Sequence, residues 1–189
     1  MKSGNEPASA GAALPRRDGM RAIFLVGFMG AGKTSVGKVL SRHLGWPFQD
    51  LDDHIQAREG RTIEEIFRHC GEAGFRQVES AALRDLIARL DTAPRIVALG
   101  GGAFAQSGNA ALLRQDGMAV VFLDGSADEL YRRCEQHQQI RPMRQDLEQF
   151  RVLYEERRKS YLAAAVTINT ENKDINTVAT EVACRLGLQ

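Results

Sequence analysis

Five short segments of apolar or β-branched residues recur along the chain and alternate with longer segments whose apolar residues have helical spacing. The segments AIFLV and AVVFL are apolar throughout rather than at alternate positions, which is typical of strands buried on both faces. Strands that alternate with helices form βαβ units, so the pattern predicts an α/β fold with a five-stranded parallel sheet flanked by helices. The predicted strands are residues 21–27, 47–52, 95–102, 118–125 and 166–170.

The intervening segments predict helices whose ends carry recognisable signals. The first follows residue 32 and ends at Gly45, and the last spans residues 175–188. Thr62 lies three positions before Glu65, a capping-box pattern that predicts a helix start. The longest helix is predicted for residues 71–90, and another follows a Ser126 cap.

Two segments lie outside this alternation. Residues 1–20 are rich in Ala, Gly, Pro and Ser and lack periodicity, so we expect a disordered tail followed by a single domain over residues 21–189. Residues 136–145, QHQQIRPMRQ, lack apolar periodicity and carry two arginines without an acidic residue. This second segment is predicted to be a mobile flap, or lid.

Composition narrows the class of protein without naming a function. The 189 residues include 25 basic and 24 acidic side chains, a formal net charge of +1 that gives no overall attraction to nucleic acid or to an anionic membrane. No run reaches the roughly 18 apolar residues needed to span a bilayer. Cys70, Cys134 and Cys184 lie far apart, and an odd number of cysteines favours reduced, buried thiols. We therefore expect a cytoplasmic protein.

A glycine-rich loop after the first strand carries the strongest chemical signal. Residues 27–34, GFMGAGKT, match G-x-x-x-x-G-K-[ST] between a predicted strand and a predicted helix. Small residues let successive backbone N–H groups surround a phosphate at a helix N-terminus, while Lys33 reaches the β- and γ-phosphates and Thr34 ligates Mg²⁺. A tight turn that needs glycine for packing alone is the weaker alternative. The pattern predicts nucleoside triphosphate binding but does not distinguish an ATPase, a GTPase and a small-molecule kinase.

Three acidic residues end the second predicted strand. Side chains two positions apart in an extended segment share a face, so Asp50 and Asp52 should project together while Leu51 points inward. Two carboxylates beside a nucleotide can hold Mg²⁺ through water and accept a proton from an attacking hydroxyl. For Asp53 we favour a different role, as the N-cap of a helix that begins near His54.

Other candidates are ambiguous from the residues alone. Arg76, with Glu79 one turn further along the helix, and Arg157 could bind an anion or could be exposed helix arginines. The triplet at residues 100–102 indicates close backbone approach to another group, or a loop that needs positive φ. Arg141 lies before a proline in the flap and could move onto transferring phosphates.

Taken together, these segments resemble the shikimate kinase family. The matching segments are GFMGAGKTSVG, DLDDHIQAREGRTIEEIF, GEAGFRQVE, ALGGGA and IRP, and the likeness runs from about residue 21 to the C-terminus. The resemblance implies a P-loop NTPase fold of the nucleoside-monophosphate-kinase type with a mobile lid. It implies transfer of the ATP γ-phosphate to the 3-hydroxyl of shikimate, with Mg²⁺, in aromatic amino acid biosynthesis.

The resemblance also implies roles for individual residues. The expected ATP contacts are Gly30, Ala31, Gly32, Lys33, Thr34, Ser35, Arg133 and Arg141. The expected shikimate contacts are Asp52, Arg76, Gly100, Gly101, Gly102 and Arg157. Thr34 and, through water, Asp50 would hold the metal, and the catalytic residues would be Lys33, Asp52 and Arg141.

The chain departs from the family pattern, and other functions stay open. Residues 157–161 read RRKSY where the family usually has R-x-P-L-Y, so Arg158 is an alternative to Arg157 at the substrate carboxylate. A kinase of the same architecture that acts on another acceptor, such as gluconate, has no evident use for two carboxylate-binding arginines. A regulatory domain that has lost turnover is disfavoured by the intact Lys33, Asp50 and Asp52. We expect a monomer whose partners are the small molecules shikimate and ATP.

Overall fold

One parallel sheet organises the structure, a computed structural model that describes residues 19–90, 93–115, 117–136 and 146–188. Its strands are β1 (Ala22–Val26), β2 (Phe48–Asp50), β3 (Arg95–Ala98), β4 (Met118–Asp124) and β5 (Val166–Asn169). They lie in the order β2-β3-β1-β4-β5, and all neighbouring pairs are parallel. The predicted five-stranded parallel sheet is therefore confirmed.

Helices follow the strands as the alternating pattern predicts. They are α1 (Lys33–Leu44), α2 (Leu51–Glu59), α3 (Ile63–Ala88), α4 (Ser107–Leu112), α5 (Ala127–Gln136), α6 (Leu147–Tyr161) and α7 (Ile175–Arg185). A short 3₁₀ turn over Ala103–Ala105 precedes α4. All five residues of β1 are buried, as expected of a central strand between two helical layers.

The chain around α3 combines two predicted helices into one bent element. The Thr62 side chain accepts a hydrogen bond from the Glu65 N–H, and the Glu65 carboxylate accepts one from the Thr62 N–H. This arrangement confirms the predicted capping box. Gly71 interrupts the helix with φ 66° and ψ −174°, a conformation that L side chains rarely adopt. The helix expected to begin at residue 71 is therefore the second half of α3.

The second strand is shorter than predicted, which changes the geometry of the acidic residues. The chain enters α2 at Leu51, and the N-cap is Asp50, whose side chain accepts from the Asp52 N–H. The expected N-cap role of Asp53 is wrong, because Asp53 already lies in the first turn of α2. Asp50 and Asp52 do not share a strand face, although Leu51 points inward and is fully buried as expected.

Several sequence expectations concern residues at the edges of the described ranges. Met20 is buried in the core, so the packed chain reaches one residue further back than the predicted boundary. Residues 1–18 of the predicted tail, and residues 137–145 of the predicted flap, lie outside the described residues. The expectation that the three thiols are buried is wrong: Cys70 and Cys184 are exposed and Cys134 is half-buried. Among the helices of the described ranges, none is both long and apolar enough to cross a membrane.

Candidate active site

Four strands bring candidate residues to the same edge of the sheet. Gly27 follows β1, Asp50 ends β2, Gly100 lies two residues after the end of β3, and Asp124 ends β4. In an open α/β sheet, ligands bind at the carboxyl ends of the strands, at the point where the strand order reverses. Here β1 is the central strand, with β3 on one side and β4 on the other. The edge next to β1 is therefore the expected position of a site.

The glycine-rich loop between β1 and α1 has a backbone that favours glycine at three positions. Gly27, Gly30 and Gly32 have φ values of 147°, 81° and 85°. A Cβ at Gly27 would also lie 2.6 Å from the Leu123 carbonyl oxygen, so this position needs glycine for packing as well as for its backbone conformation. Lys33 Nζ donates to the carbonyl oxygens of Gly27 (2.8 Å) and Phe28 (3.0 Å). The lysine therefore lies over the loop in which a phosphate is expected.

Asp50 connects this loop to the start of α2. Thr34 Oγ1 donates to Asp50 Oδ2 at 2.8 Å, and the Asp52 N–H donates to Asp50 Oδ1 at 3.0 Å. A hydroxyl and a carboxylate at this separation are oxygen ligands of the kind that Mg²⁺ prefers, with water completing its shell. The described residues contain no group of three or more His, Cys, Asp or Glu side chains able to hold a metal ion by themselves. The donor set thus fits a nucleotide-bound magnesium ion.

A cleft of about 500 Å³ extends from this loop across the N-terminal end of α1. It is lined by loop residues 29–36, by Arg132 and Arg133 of α5, and by residues 173–175 before and at the start of α7. Arg133 donates to the Thr170 carbonyl oxygen at 2.9 Å and to Glu129 at 2.9 Å. Gly30, Ala31, Gly32, Lys33, Thr34, Ser35 and Arg133 all line this cleft, so the structure brings together the described members of the predicted ATP set.

A second cavity of about 430 Å³ lies on the other side of Asp52. Its lining includes Arg76 and Glu79 from α3, Arg157 from α6, and the glycine triplet. Phe67 and Phe75 stack in its wall, with ring centroids 4.3 Å apart. The two cavities share four lining residues: Met29, Asp52, Gly100 and Gly101. Asp52 therefore lies where the cleft beside the phosphate loop meets the second cavity.

Arg76 is held by two glutamates and an aromatic ring. Its Nη1 lies 3.0 Å from Glu79 Oε2, its Nη2 lies 3.2 Å from Glu72 Oε1, and its Cζ lies 5.3 Å from the centroid of the Phe75 ring. Burial alone would lower the pKa of Arg76, but the two glutamates raise it above its ordinary value. Arg157 Nη2 lies 3.8 Å from the same Glu72 oxygen. The two guanidinium groups therefore face one cavity and share one carboxylate.

Glu79 is the most deeply buried charged side chain of this cavity, at 1% exposure. Its Oε2 accepts from Arg76 and, at 2.8 Å, from Gln106 Nε2, whereas its Oε1 finds no hydrogen-bond partner among the described residues. Burial raises the pKa of Glu79, and the charge of Asp52 adds to this effect, while Arg76 opposes it. From the sequence, Glu79 was noted only as the residue one helical turn after Arg76.

The glycine triplet packs directly against these side chains. A Cβ at Gly102 would lie 2.5 Å from Cζ of Arg76, and a Cβ at Gly100 would lie 2.9 Å from Glu79 Oε1 and 3.0 Å from Asp52 Oδ1. None of these three described glycines has a positive φ, so the alternative of a loop that needs positive φ is wrong. The glycine backbone therefore lies close to the side chains of Asp52, Glu79 and Arg76. In addition, the Tyr161 O–H donates to the Gly101 carbonyl oxygen.

The structure separates the two arginines that the sequence left as alternatives. Arg157 lines the second cavity, whereas Arg158 Nη2 lies 2.7 Å from Asp124 Oδ2 at the end of β4. Sequence reasoning missed Asp124 and Tyr161. The rule that selected Asp50, a carboxylate at the carboxyl end of a parallel strand, would also have selected Asp124. Arg141 and its predicted role on the phosphates lie outside the described residues.

The sequence and structure are similar to those of known proteins. The family model described as shikimate kinase matches residues 29–186. A shikimate kinase of Persephonella marina is 34% identical over 167 residues, which cover 88% of this chain and 99% of the relative. A shikimate kinase from Acinetobacter baumannii, solved in complex with shikimate, is 33% identical, with a TM-score of 0.79 over 96% of this chain and 98% of that chain.

A gluconokinase from Sinorhizobium meliloti has a similar structure at a greater distance. It is 20% identical, with a TM-score of 0.58 over 88% of this chain and 91% of that chain. At this identity the likeness concerns the fold alone, which kinases of different acceptors share.

Proposed function

This chain belongs to the shikimate kinase family, and we propose that it transfers the γ-phosphate of ATP to the 3-hydroxyl of shikimate. The observation that supports this reaction most directly is the boundary shared by the two cavities at Asp52, Gly100 and Gly101. A phosphoryl group held on one side of this boundary has a short path to an acceptor hydroxyl on the other.

ATP occupies the cleft beside the glycine-rich loop in this proposal. The backbone N–H groups of residues 30–35 surround the phosphates at the N-terminus of α1, whose dipole favours a negative charge. Lys33 leaves the loop carbonyl oxygens that it contacts and neutralises the β- and γ-phosphates. Arg133, on α5, lines the same cleft and contacts the adenine base in this proposal. Arg141 keeps its predicted role on the transferring phosphate.

Thr34 and Asp50 would hold Mg²⁺, Asp50 through water. When bound, the ion would supply positive charge that offsets the negative charge developing on the phosphates during transfer. Asp50 suits this role because its two oxygens already join the loop hydroxyl of Thr34 and the first turn of α2, at 2.8 and 3.0 Å.

Shikimate occupies the second cavity, with its carboxylate at Arg76 and Arg157. Two planar guanidinium groups that face one anion fix both its position and its orientation. Glu79 and Glu72 hold Arg76 in place, and the Gly101 and Gly102 backbone lies beside the substrate ring. Because Arg158 pairs with Asp124, we assign the carboxylate contact to Arg157.

Asp52 accepts a hydrogen bond from the 3-hydroxyl and directs that oxygen toward the γ-phosphate. Phosphoryl transfer depends mainly on positioning and on charge neutralisation, and Asp52, between the two cavities, can both orient the attacking hydroxyl and accept its proton. The predicted lid would exclude water during transfer. The monomeric state and the cytoplasmic location remain predictions from the sequence.

An ADP-release assay with a panel of hydroxy acids tests this function. The purified protein is incubated with Mg-ATP and shikimate, quinate, gluconate or no acceptor. We expect ADP release that depends on shikimate and a much lower rate with gluconate, which lacks a ring to fit between the arginines. Faster release with gluconate would assign the chain to another acceptor. Binding of both ligands without turnover would indicate a regulatory protein.

A further inference from the structure

Helix α6 is the element that connects the phosphate loop, the second cavity and the end of β4. Near its start, Phe150 packs edge-on against Phe28 of the loop, with centroids 4.9 Å apart, and Tyr154 contacts the same ring at 5.7 Å. Its C-terminal end carries Arg157, which lines the second cavity, and Tyr161, which donates to the Gly101 carbonyl oxygen. The rotation of this end of the helix therefore influences where the Arg157 guanidinium lies.

Asp124 receives hydrogen bonds from two residues of α6, and we name Asp124, Tyr154 and Arg158 the Asp124 network. Arg158 donates to Asp124 Oδ2 from Nη2 at 2.7 Å and from Nε at 3.3 Å. Tyr154 O–H donates to Asp124 Oδ1 at 3.1 Å and to the Gly125 carbonyl oxygen at 2.8 Å. Asp124 Oδ1 also accepts from the Gly125 N–H at 3.0 Å. The carboxylate is thus joined to the strand end and to α6 at once.

The surroundings of the network make it firmer than an exposed ion pair. The Asp124 side chain is 15% exposed. For comparison, Arg151, which lies on α6 like Arg158, pairs with Asp128, whose side chain is 63% exposed. Burial, with a further contribution from the Asp124 charge, raises the pKa of Tyr154 to about 12, so its hydroxyl remains a donor at neutral pH. A hydrogen bond between charged groups that are partly shielded from water contributes more to stability than one between fully exposed groups.

Consecutive residues of an α-helix project about 100° apart around its axis. Arg157 and Arg158 therefore leave the helix in different directions, Arg157 toward the second cavity and Arg158 toward Asp124, and the rotation of the helix sets both directions. Arg158 is tied to β4, a strand whose residues 118–123 are all buried and which therefore cannot shift easily.

From this geometry we propose that Arg158 and Asp124 are positioning residues for the acceptor site: their ion pair sets the rotation of the C-terminal end of α6 and so aims Arg157 at the substrate carboxylate. The inference rests on the proposed function for the identity of that carboxylate. Neither Arg158 nor Asp124 lines the second cavity, so in this proposal the pair acts through Arg157.

A double-mutant cycle between neighbouring arginines tests the proposal. We expect R158A to raise the KM for shikimate about three- to tenfold, with little change in the KM for ATP. We expect R158K, which keeps the charge, to recover part of this loss. In an R157A background, R158A should change the shikimate KM no further, because the residue that it positions is gone. D124N should give the same pattern as R158A.

R151A is the matched control, since Arg151 lies on the same helix and pairs with Asp128 at the same distance of 2.7 Å. It should leave both KM values unchanged. Additive effects of R157A and R158A, or a rise in the ATP KM equal to that for shikimate, would overturn the positioning role. Hydrogen exchange over residues 155–162 gives a reading that needs no turnover: faster exchange in R158A than in R151A supports the proposal, and equal exchange contradicts it. Failure of the wild type to phosphorylate shikimate would instead contradict the proposed function.

Discussion

The nucleotide cleft and the acceptor cavity meet at Asp52, yet they are built in different ways. Most of the phosphate-binding side of the cleft comes from one continuous segment, residues 29–36, and much of its chemistry belongs to the backbone. The acceptor cavity takes its charged groups from α2, α3 and α6, and Asp52 and Arg157 are 105 residues apart in the chain. The chemistry of this cavity belongs to side chains held by other side chains. Binding of the two substrates should therefore respond differently to single substitutions.

Removal of the group at the shared boundary should have the largest effect. We expect D52N to lower kcat about 10²- to 10⁴-fold, because the amide no longer accepts and directs the attacking hydroxyl as a carboxylate does. The KM for ATP should change little, since the phosphates lie on the other side of the boundary. Steady-state kinetics with each substrate varied in turn give these values.

Asp53 offers the control for this substitution, because it is exposed in the same first turn of α2. D53N should retain wild-type kcat. Undiminished turnover in D52N would remove Asp52 from the acceptor site.

Removal of one guanidinium should affect the acceptor side alone. We expect R76A to lower kcat/KM for shikimate. The loss of transition-state binding should be about 2–5 kcal/mol, the usual range when one partner of a buried charge pair is removed. Glu79 would also be left buried beside Asp52 without its cation. Arg84, which is exposed on the same helix and lines neither cavity, provides the comparison: R84A should behave as wild type. An ATP KM that rises while the shikimate KM stays constant would place Arg76 in the wrong cavity.

An added methyl group should disturb the acceptor cavity by a smaller amount. In G102A, the new Cβ would overlap the Arg76 guanidinium, which must then move. We expect a loss of about 1–3 kcal/mol in shikimate binding, typical of overpacking, measured by calorimetric titration. Gly108 has open space around the position of a Cβ, so G108A should bind shikimate as wild type does. Equal binding by both variants would show that Arg76 adjusts without loss.

The smallest effect should concern the start of α3, the helix that carries Arg76. We expect T62A to lower the free energy of unfolding at pH 7 by about 1 kcal/mol, the usual value of an N-cap. Hydrogen bonds from Thr62 lower the pKa of Glu65, so the contribution of Glu65 is present above its ordinary value of 4.5 and is lost as pH falls through the lower folded value. The stability difference between T62A and wild type should therefore shrink in acid.

Urea denaturation of T62A and wild type, at pH 7 and in acid, measures the difference in their free energies of unfolding. Thr180 is exposed on α7, away from any cap, and T180A should cause no loss of stability. A constant difference between T62A and wild type across this pH range would argue against the reciprocal cap.

The contrast between a cleft built from adjacent residues and a cavity built from distant ones also explains which features the sequence could predict. The phosphate loop was recognised because its residues are adjacent in the chain and follow a strand, and the sheet was recognised because buried parallel strands are apolar throughout. Arg76 and Arg157 were ambiguous because helical spacing says which residues share a face but not what that face meets. The N-cap of α2 was misplaced by three residues, since an Asp-Leu-Asp-Asp run offers three candidate caps. Asp124 was overlooked because its partner, Arg158, lies 34 residues away.

The identity of the phosphorylated product tests the central claim, that one boundary places a single hydroxyl of shikimate against the γ-phosphate. Phosphorus–proton correlation NMR of the product from shikimate and Mg-ATP identifies the esterified oxygen directly. The account predicts one product with the phosphate on the 3-hydroxyl. A mixture of esters, or free phosphate formed with shikimate unchanged, would contradict it.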